Sequence, residues 1–208
     1  MTPEAAVKIE NVSRIFPNGK CALNAVSLTI RKGEFAVICG RNGSGKSVLM
    51  SLIAGLDEPS EGSITAGDVG LVFQNADAQI LGETPEEDIL FGLRALPISK
   101  SEIQTRLEQT LAVCGLGEKR DFQARLLSGG EKRRLAVAGI LAIERELIIF
   151  DEPTSALDAE SEQLIIELLQ TLAKEKIVIA VSHSPALIAA SARTYTIHRR
   201  LPQRTSLR

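Results

Sequence analysis

The sequence contains no tryptophan and one tyrosine, and aromatic residues make up 3% of its 208 residues. A surface that stacks nucleic-acid bases needs several exposed aromatic rings, so this composition argues against such a surface. Charge points the same way, because 24 basic and 26 acidic residues leave a net charge of −2. A chain without a basic excess has no general attraction for nucleic acid or anionic lipid, and we expect no nucleic-acid partner.

Cysteine is scarce and is not arranged in pairs. Cys21, Cys39 and Cys114 are an odd number, and no C-x-x-C sequence occurs. This pattern argues against a disulfide framework or a cysteine zinc site and suits a reducing compartment. We expect three small, buried, apolar side chains.

Long apolar runs are also missing. The longest stretch without Asp, Glu, Lys or Arg is residues 177–192, which His183 and Pro185 interrupt. It falls short of the roughly 18 apolar residues that indicate a membrane span. The N-terminus lacks the basic-then-apolar pattern of a signal peptide. We therefore expect a soluble chain, in which any membrane role depends on a partner.

The apolar residues that are present, 44% of the chain, fall into short runs. Runs bounded by glycine, charged or turn residues predict strands buried on both faces, as in a parallel sheet covered by helices. Between them, Leu164, Ile165, Leu168, Leu169 and Leu172 recur at helical spacing and predict an amphipathic helix. The alternation predicts an α/β fold in one domain. The predicted strands are residues 35–39, 69–73, 147–150 and 177–181.

Residues 75–127 break this alternation and have the pattern of helices throughout. Thr84 precedes Pro85 and two glutamates, and Ser99 precedes Glu102, so both read as capping boxes at helix starts. An apolar stripe follows the second box, formed by Ile103, Leu107, Leu111 and Cys114. The segment predicts a helical lobe inserted into a core of residues 1–74 and 128–198. Residues 199–208 hold four arginines and no acid, and predict a solvated tail.

The clearest motif is a phosphate-binding loop that fits G-x-x-x-x-G-K-[ST] at each fixed position. It follows a predicted strand and opens an apolar helix, which is the context that the motif requires. The glycines allow successive backbone N–H groups to converge on phosphate oxygens at the helix N-terminus. Lys46 would neutralise phosphate charge, and the Ser47 hydroxyl would bind Mg²⁺. The loop consists of Gly40, Arg41, Asn42, Gly43, Ser44, Gly45, Lys46 and Ser47.

Two acids follow a second buried strand, at Asp151 and Glu152. The carboxyl ends of parallel strands meet at one edge of a sheet, where such sheets bind ligands, so Asp151 is expected beside the phosphate loop. There it would hold Mg²⁺ through water. Glu152 would point differently and polarise an attacking water. The sequence therefore predicts an enzyme that hydrolyses a nucleotide.

A third motif, Ser128-Gly129-Gly130-Glu131, has two interpretations. Ser128 and Glu131 form a capping box, which needs no further function. Capping does not require two consecutive glycines, however, and their flexibility lowers stability near a helix start. Bare N–H groups at a helix N-terminus bind anions, so this segment is also a candidate for a second phosphate contact.

The order of these motifs resembles the ATP-binding subunits of ATP-binding cassette (ABC) proteins, over residues 7–198. The resemblance implies a P-loop NTPase core with a mainly parallel sheet, a small antiparallel N-terminal β region and an inserted helical lobe. It also implies that Phe16 stacks on adenine, and that Gln74 contacts Mg²⁺ and water and senses a membrane subunit. Ser128, Gly129 and Gly130 would contact the γ-phosphate held by an opposite subunit. Asp158 would link the two sites, and His183 would bind the γ-phosphate.

Within the family, residues 74–80 and 84–93 resemble the energy-coupling factor and cobalt/nickel importers. This implies an ATPase at the cytoplasmic face of the membrane that powers uptake of B vitamins or transition-metal ions. Its partners would be a second ATPase subunit, identical or a paralogue, and a transmembrane subunit docked near Gln74. Another class of ABC transporter and a soluble ABC ATPase remain alternatives, while a small P-loop kinase would have no use for residues 128–130. The sequence does not reveal the transported solute, which contacts only membrane subunits.

Three departures from the family pattern affect the expectations. Val48 replaces a usual Thr after the loop serine, which predicts a weaker contact near the α-phosphate. The segment from Gly62 to Gln74 is short, and the family's C-terminal extension has no counterpart. Because both shortenings remove surface and no catalytic group, we expect a monomer without nucleotide and a dimer with ATP.

Overall fold

The computed structural model describes residues 5–198, and the predicted basic tail at residues 199–208 lies outside them. A five-stranded sheet, entirely parallel, consists of β3 (Phe35–Cys39), β5 (Val69–Val72), β6 (Leu147–Asp151), β7 (Ile177–Val181) and β8 (Arg193–Thr196). Its strand order is β5-β6-β7-β3-β8. Every residue of β7 is buried, as expected for a strand covered on both faces. The prediction of a parallel α/β core is thus confirmed.

A second sheet, antiparallel and three-stranded, packs on one side of this core. It consists of β1 (Ala5–Ile15), β2 (Cys21–Arg31) and β4 (Glu61–Ala66), with β1 in the middle. Ile9 pairs with Leu28 on one neighbour and with Ile64 on the other. The sheet shares an apolar cluster with the first core helix, α1 (Lys46–Ile53). This sheet is the predicted antiparallel N-terminal region.

The predicted amphipathic helix is α5 (Ala159–Leu172), and one residue of its stripe is misplaced in the prediction. Ile165, Leu168, Leu169 and Leu172 are buried, but the side chain of Leu164 is 44% exposed. Leu164 therefore lies at the edge of the apolar face. The last helix, α6 (Pro185–Ala190), follows a serine cap at Ser184.

Residues 75–127 form helices and turns, as the periodicity predicts. The α-helices are α2 (Pro85–Leu93) and α3 (Lys100–Val113), and they pack against α4 (Gly129–Ala142). The Thr84 and Ser99 side chains cap their helices, but neither predicted capping box is complete, because the return bond from the glutamate to the cap residue is missing. Glu87 instead accepts from the N–H of Glu83, and Glu102 pairs with Arg106. Single turns of 3₁₀-helix occupy Ala76–Ala78, Gly117–Lys119 and Ala124–Leu126. The boundaries of a separate lobe stay a prediction.

The register of the parallel sheet brings the functional loops together. Val181 at the end of β7 pairs with Ile38 of β3 on one side and with Asp151 of β6 on the other. The segments that leave these three strands therefore start at one edge of the sheet. Within residues 5–198, no helix has both the length and the apolar character needed to cross a membrane. Of the cysteines, Cys114 is buried as predicted, whereas Cys21 and Cys39 are only half-buried.

Candidate functional site

The loop of residues 40–47 joins β3 to α1, and two of its glycines have no room for a side chain. Gly40 and Gly45 have φ values of 150° and 104°. A Cβ atom would lie 2.5 Å from the carbonyl oxygen of Ile197 at Gly40, and 2.6 Å from that of Ala22 at Gly45. Both contacts are shorter than real Cβ atoms show, so the tight loop depends on glycine at these points.

The side chain of Lys46 is buried within the phosphate-binding loop. It is 8% exposed, and its Nζ donates to the carbonyl oxygen of Gly40 at 2.9 Å. The first turn of α1 contains no acidic residue, so nothing there neutralises the positive end of the helix dipole. Backbone N–H groups, a helix N-terminus and a buried ammonium thus make a strongly anion-attracting loop.

A cavity of about 350 Å³ opens over this loop and reaches the end of β6. Its volume is in the range typical of small-molecule sites. The structure therefore brings most of the predicted phosphate loop together with the predicted acidic pair. Of the predicted site residues, those that line the cavity are Phe16, Asn42, Gly43, Gly45, Lys46, Ser47, Val48, Gln74, Asp151 and Glu152. Four further residues line the cavity although the sequence did not predict them as site residues: Lys20, Cys21, Ala22 and Val181.

Asp151 is the last residue of β6, and Glu152 follows it in an unusual backbone conformation. The backbone of Glu152 has a φ of 45°, a left-handed conformation that is uncommon outside glycine, and its N–H donates to Val181. Burial raises the pKa of Asp151, the negative charge of Glu152 raises it further, and Lys46 opposes both effects. A cation bound near Asp151 would relieve this cost of burying its charge.

Glu152 is engaged by two residues that follow β7. Its Oε2 accepts a hydrogen bond from the Ser182 hydroxyl at 3.1 Å, and its Oε1 lies 2.9 Å from Nδ1 of His183. The His183 side chain is 74% exposed, whereas that of Glu152 is 14% exposed. The carboxylate is therefore held from one side and faces the cavity. Sequence reasoning missed Ser182, and its position next to His183 is the only signal that could have found it.

Oxygen donors for a cation line the same cavity. They are the Ser47 hydroxyl, the Gln74 side-chain amide and the Asp151 carboxylate. Mg²⁺ in nucleotide sites uses few protein oxygens and completes its shell with water and phosphate, so this set fits Mg²⁺. Residues 5–198 contain no cluster of three or more His, Cys, Asp or Glu side chains that could hold a metal by itself.

Residues 128–130 lie at the start of α4 and do not line this cavity. Ser128 and Glu131 form a complete capping box, with the Ser128 N–H donating to Glu131 at 2.8 Å and lowering the pKa of that carboxyl. Ser128 and Gly129 are exposed. The two interpretations of this motif are therefore compatible, because the cap leaves Ser128 and Gly129 free to contact another molecule.

Asp158 caps the neighbouring helix, α5, and also lies outside the cavity. Its carboxylate accepts from the N–H of Ser161 at 2.7 Å, which lowers its pKa. The two helix starts are adjacent, because a Cβ atom on Gly130 would lie 2.7 Å from the Ser161 hydroxyl oxygen. Two helix N-termini, each with a positive dipole end, thus lie next to each other.

A buried arginine on α4, Arg133, was missed by the sequence analysis. It donates to the backbone carbonyl oxygens of Phe73 (2.9 Å) and Gln74. Its side chain is 5% exposed, and burial lowers its pKa while the charge of Asp151 opposes the shift. The available signal was its place on a buried stripe of α4 with Gly130 and Val137. Phe73 lies beyond the end of β5, contrary to the predicted strand end, and is 45% exposed.

Comparisons with known proteins agree with this geometry. A protein-family model described as ABC transporter matches residues 23–155. A putative ABC transporter ATP-binding protein of Methanosarcina mazei is 40% identical over 194 residues, which are 86% of this chain and 71% of the relative. The energy-coupling factor transporter ATP-binding protein EcfA2 of Clostridium acetobutylicum is 40% identical over 211 residues, 89% of this chain and 73% of the relative.

Solved structures give the same result. The structure of cbiO1 from Clostridium perfringens, part of the ABC transporter complex cbiONQ, superposes with a TM-score of 0.89 at 28% identity, covering 94% of this chain and 86% of that one. A dimeric ATP-binding cassette bound to ADP and Pi in a post-hydrolysis state superposes with a TM-score of 0.79 at 29% identity. The coverage is 92% of this chain and 94% of that cassette.

Proposed function

The chain belongs to the ABC transporter family of ATP-binding proteins and is an ATPase; we propose that it powers solute uptake through a membrane importer of the energy-coupling factor type. The proposed ATP hydrolysis is supported by one observation: Lys46, Asp151 and Glu152 line the same cavity. The transport part is supported by relatives at 35–40% identity that are energy-coupling factor ATP-binding proteins. The solute would be a B vitamin or a transition-metal ion.

The phosphates of ATP would bind at residues 40–47, where Lys46 supplies positive charge beside the helix N-terminus. Ser47, Gln74 and Asp151 would hold Mg²⁺, which supplies charge to neutralise the phosphate oxygens. Phe16, on the cavity wall, would stack on the adenine ring. Val48 would pack near the α-phosphate without the hydroxyl of a threonine.

Glu152 would orient the attacking water and accept its proton. Its hydrogen bonds with Ser182 and His183 restrict the rotation of the carboxylate, and preorganisation of this kind favours hydrolysis. His183, which is exposed and lies within hydrogen-bond distance of Glu152 but does not line the cavity, would reach the γ-phosphate from beside that carboxylate. Gln74, which follows the end of β5, would contact Mg²⁺ and the attacking water.

We further propose that the active form contains two ATPase subunits, either identical or paralogous. Ser128, Gly129 and Gly130 would contact the γ-phosphate bound by the opposite subunit, and Asp158 would link the two sites. The support is geometric: both helix starts lie outside their own chain's cavity, yet Ser128, Gly129 and Asp158 are exposed. A second chain is needed to bring such groups to a phosphate.

The membrane partner would dock beside Gln74, and the chain would work at the cytoplasmic face of the membrane. Large apolar side chains are exposed in residues 75–127, among them Leu81 at 67%, Phe91 at 64% and Leu126 at 63%. The segments that carry them are held together by the N–H of Ala124, which donates to Glu83, and by the ion pair of Arg120 with Glu86. Exposed apolar side chains of this kind indicate an interaction surface.

The test uses two variants matched in exposure. Phe91→Glu places a charge on the proposed docking surface, and Leu56→Glu places one at a residue that is 66% exposed after α1. Each is expressed with an affinity tag in the source organism, solubilised from membranes and analysed by mass spectrometry. We expect wild type and Leu56→Glu to recover a transmembrane subunit and Phe91→Glu to lose it. Recovery of wild type without any membrane protein would contradict the proposed function.

A further inference from the structure

Arg133 is a buried cation whose hydrogen bonds go to backbone carbonyl groups. One of its terminal nitrogens donates both to Phe73 O and to Gln74 O, and its Nε has no hydrogen-bond partner among the described residues. A guanidinium buried to this extent carries a desolvation cost, which its two carbonyl contacts offset only in part. A packing role alone would be served at lower cost by an apolar side chain such as methionine.

Other contacts stiffen the segment that Arg133 holds. Lys132, the preceding residue of α4, forms an ion pair of 2.7 Å with Asp77. The Gln79 side chain accepts from the Phe73 N–H at 3.1 Å and donates to Leu71 O at 3.0 Å. Residues 73–79 are thus bound to the start of α4 and to the end of β5. Their position depends on where α4 lies.

The helix that carries Arg133 begins at the motif proposed to close the opposite subunit's site. Ser128 caps α4, and Arg133 follows within the second helical turn. Hydrogen bonds within the helix fix the position of Arg133 relative to residues 128–130, so a shift of residues 128–130 displaces the Arg133 guanidinium as well. The guanidinium in turn fixes the backbone of Gln74, the side chain of which lines the cavity of its own subunit.

We propose that Arg133 is a positioning residue that binds the Gln74 backbone to α4, so that Gln74 and residues 128–130 move as one unit. This inference rests on the proposed function and deepens it. Occupancy of one nucleotide site, sensed by Gln74, is then transmitted through Arg133 to the helix start that completes the other site. Arg133 touches neither nucleotide in this scheme; it acts through Gln74, and its charge also lies near that of Asp151.

The test is a double-mutant cycle on ATP hydrolysis by the purified protein. Arg133→Met should lower kcat on the order of 10- to 100-fold, the scale of a displaced positioning group, and leave the affinity of the monomer for ATP unchanged. Gln74→Ala should also lower kcat. Because Arg133 acts through Gln74, the double variant should be no slower than Gln74→Ala alone. Arg133→Lys, which keeps a donor and the charge, should recover part of kcat.

Arg134→Met is the matched control, because the neighbouring arginine of α4 donates to Cys114 O at 3.0 Å and, within the part of the chain that the structure describes, makes no hydrogen bond to residues 73–79. Any effect of Arg134→Met on kcat should add to that of Gln74→Ala. Additive effects for Arg133→Met, or an unchanged kcat, would overturn the role of Arg133. Should Arg133→Met not fold, Arg133→Lys takes its place in the cycle. A wild-type rate for Gln74→Ala would instead contradict the proposed role of Gln74 itself.

Discussion

Glu152 and His183 are joined by a hydrogen bond of 2.9 Å between Oε1 and Nδ1, although they follow different strands of the sheet. The register of β6 and β7 makes this contact possible, since Asp151 pairs directly with Val181. The buried Ser182 hydroxyl holds the other carboxylate oxygen. Glu152 is therefore held in place by groups of its own chain, as a group that orients water should be.

Glu152→Gln should abolish turnover while ATP binding persists. The substitution removes the proton-accepting carboxylate but leaves Lys46 and Asp151 in the cavity. General bases contribute roughly 10²- to 10⁴-fold, so kcat should fall by at least that range. Phosphate release reports the rate and isothermal titration the affinity. Near-normal hydrolysis would exclude Glu152 as the base.

Ser128→Arg and Lys46→Ala should lose ATP hydrolysis for different reasons. If residues 128–130 act on the opposite subunit's ATP, Ser128→Arg blocks hydrolysis but leaves the ATP affinity of the isolated monomer at the wild-type value. Lys46→Ala removes the ammonium from the loop and should weaken that affinity directly. Equilibrium binding at protein concentrations too low for dimers separates the two. Equal losses of affinity would show that the Ser128 motif acts within its own chain.

The parallel core could be predicted from the sequence because its strands are apolar on both faces and end in recognisable loops. The antiparallel sheet was predicted only as a region. Asn11 of β1 and Ala25 of β2 have positive φ values, and shifts of register interrupt the two-residue period. Leu164 was placed on the buried face because leucines recur around it, whereas the helix turns that position towards solvent.

The candidate site could also be predicted only in part from the sequence. Motif spacing was sufficient to predict that the phosphate loop, Asp151 and Glu152 share a cavity, and the structure brings them together. The stripe on α4 could have indicated that Arg133 is buried, but its partners could not be predicted, because they are carbonyl groups about 60 residues away and a carbonyl has no residue-specific signal. The roles of the individual site residues stay predictions, to be decided by the variants described here.

Phe16→Ala should weaken ATP binding but not the binding of inorganic tripolyphosphate. Stacking of a base on an aromatic ring contributes about 1–3 kcal/mol, or roughly 5- to 150-fold in Kd. Arg14 lies 5.3 Å from the Phe16 ring centroid and is held by two hydrogen bonds to Asp57. Arg14→Leu should therefore have a smaller effect of the same kind. Equal weakening for both ligands would exclude Phe16 as the adenine platform.

ATP should control the association of the subunits. A ligand that binds only the associated form shifts the equilibrium towards it by mass action. We expect a monomer without nucleotide, a dimer of Glu152→Gln in Mg-ATP, and wild-type activity that rises more than linearly with protein concentration. Light scattering with and without Mg-ATP measures this directly. A stable dimer in the absence of nucleotide would contradict the expectation.

The central claim is that each ATP is hydrolysed by groups from two chains, and mixing two inactive variants tests it most directly. In a mixed dimer, the Ser128→Arg subunit supplies an intact phosphate loop and Glu152, and the Glu152→Gln subunit supplies an intact Ser128 motif, so one complete site forms. The variants are combined before ATP is added, and phosphate release is compared with that of each variant alone. The account predicts that activity reappears on mixing; a mixture no more active than the sum of its parts would contradict it.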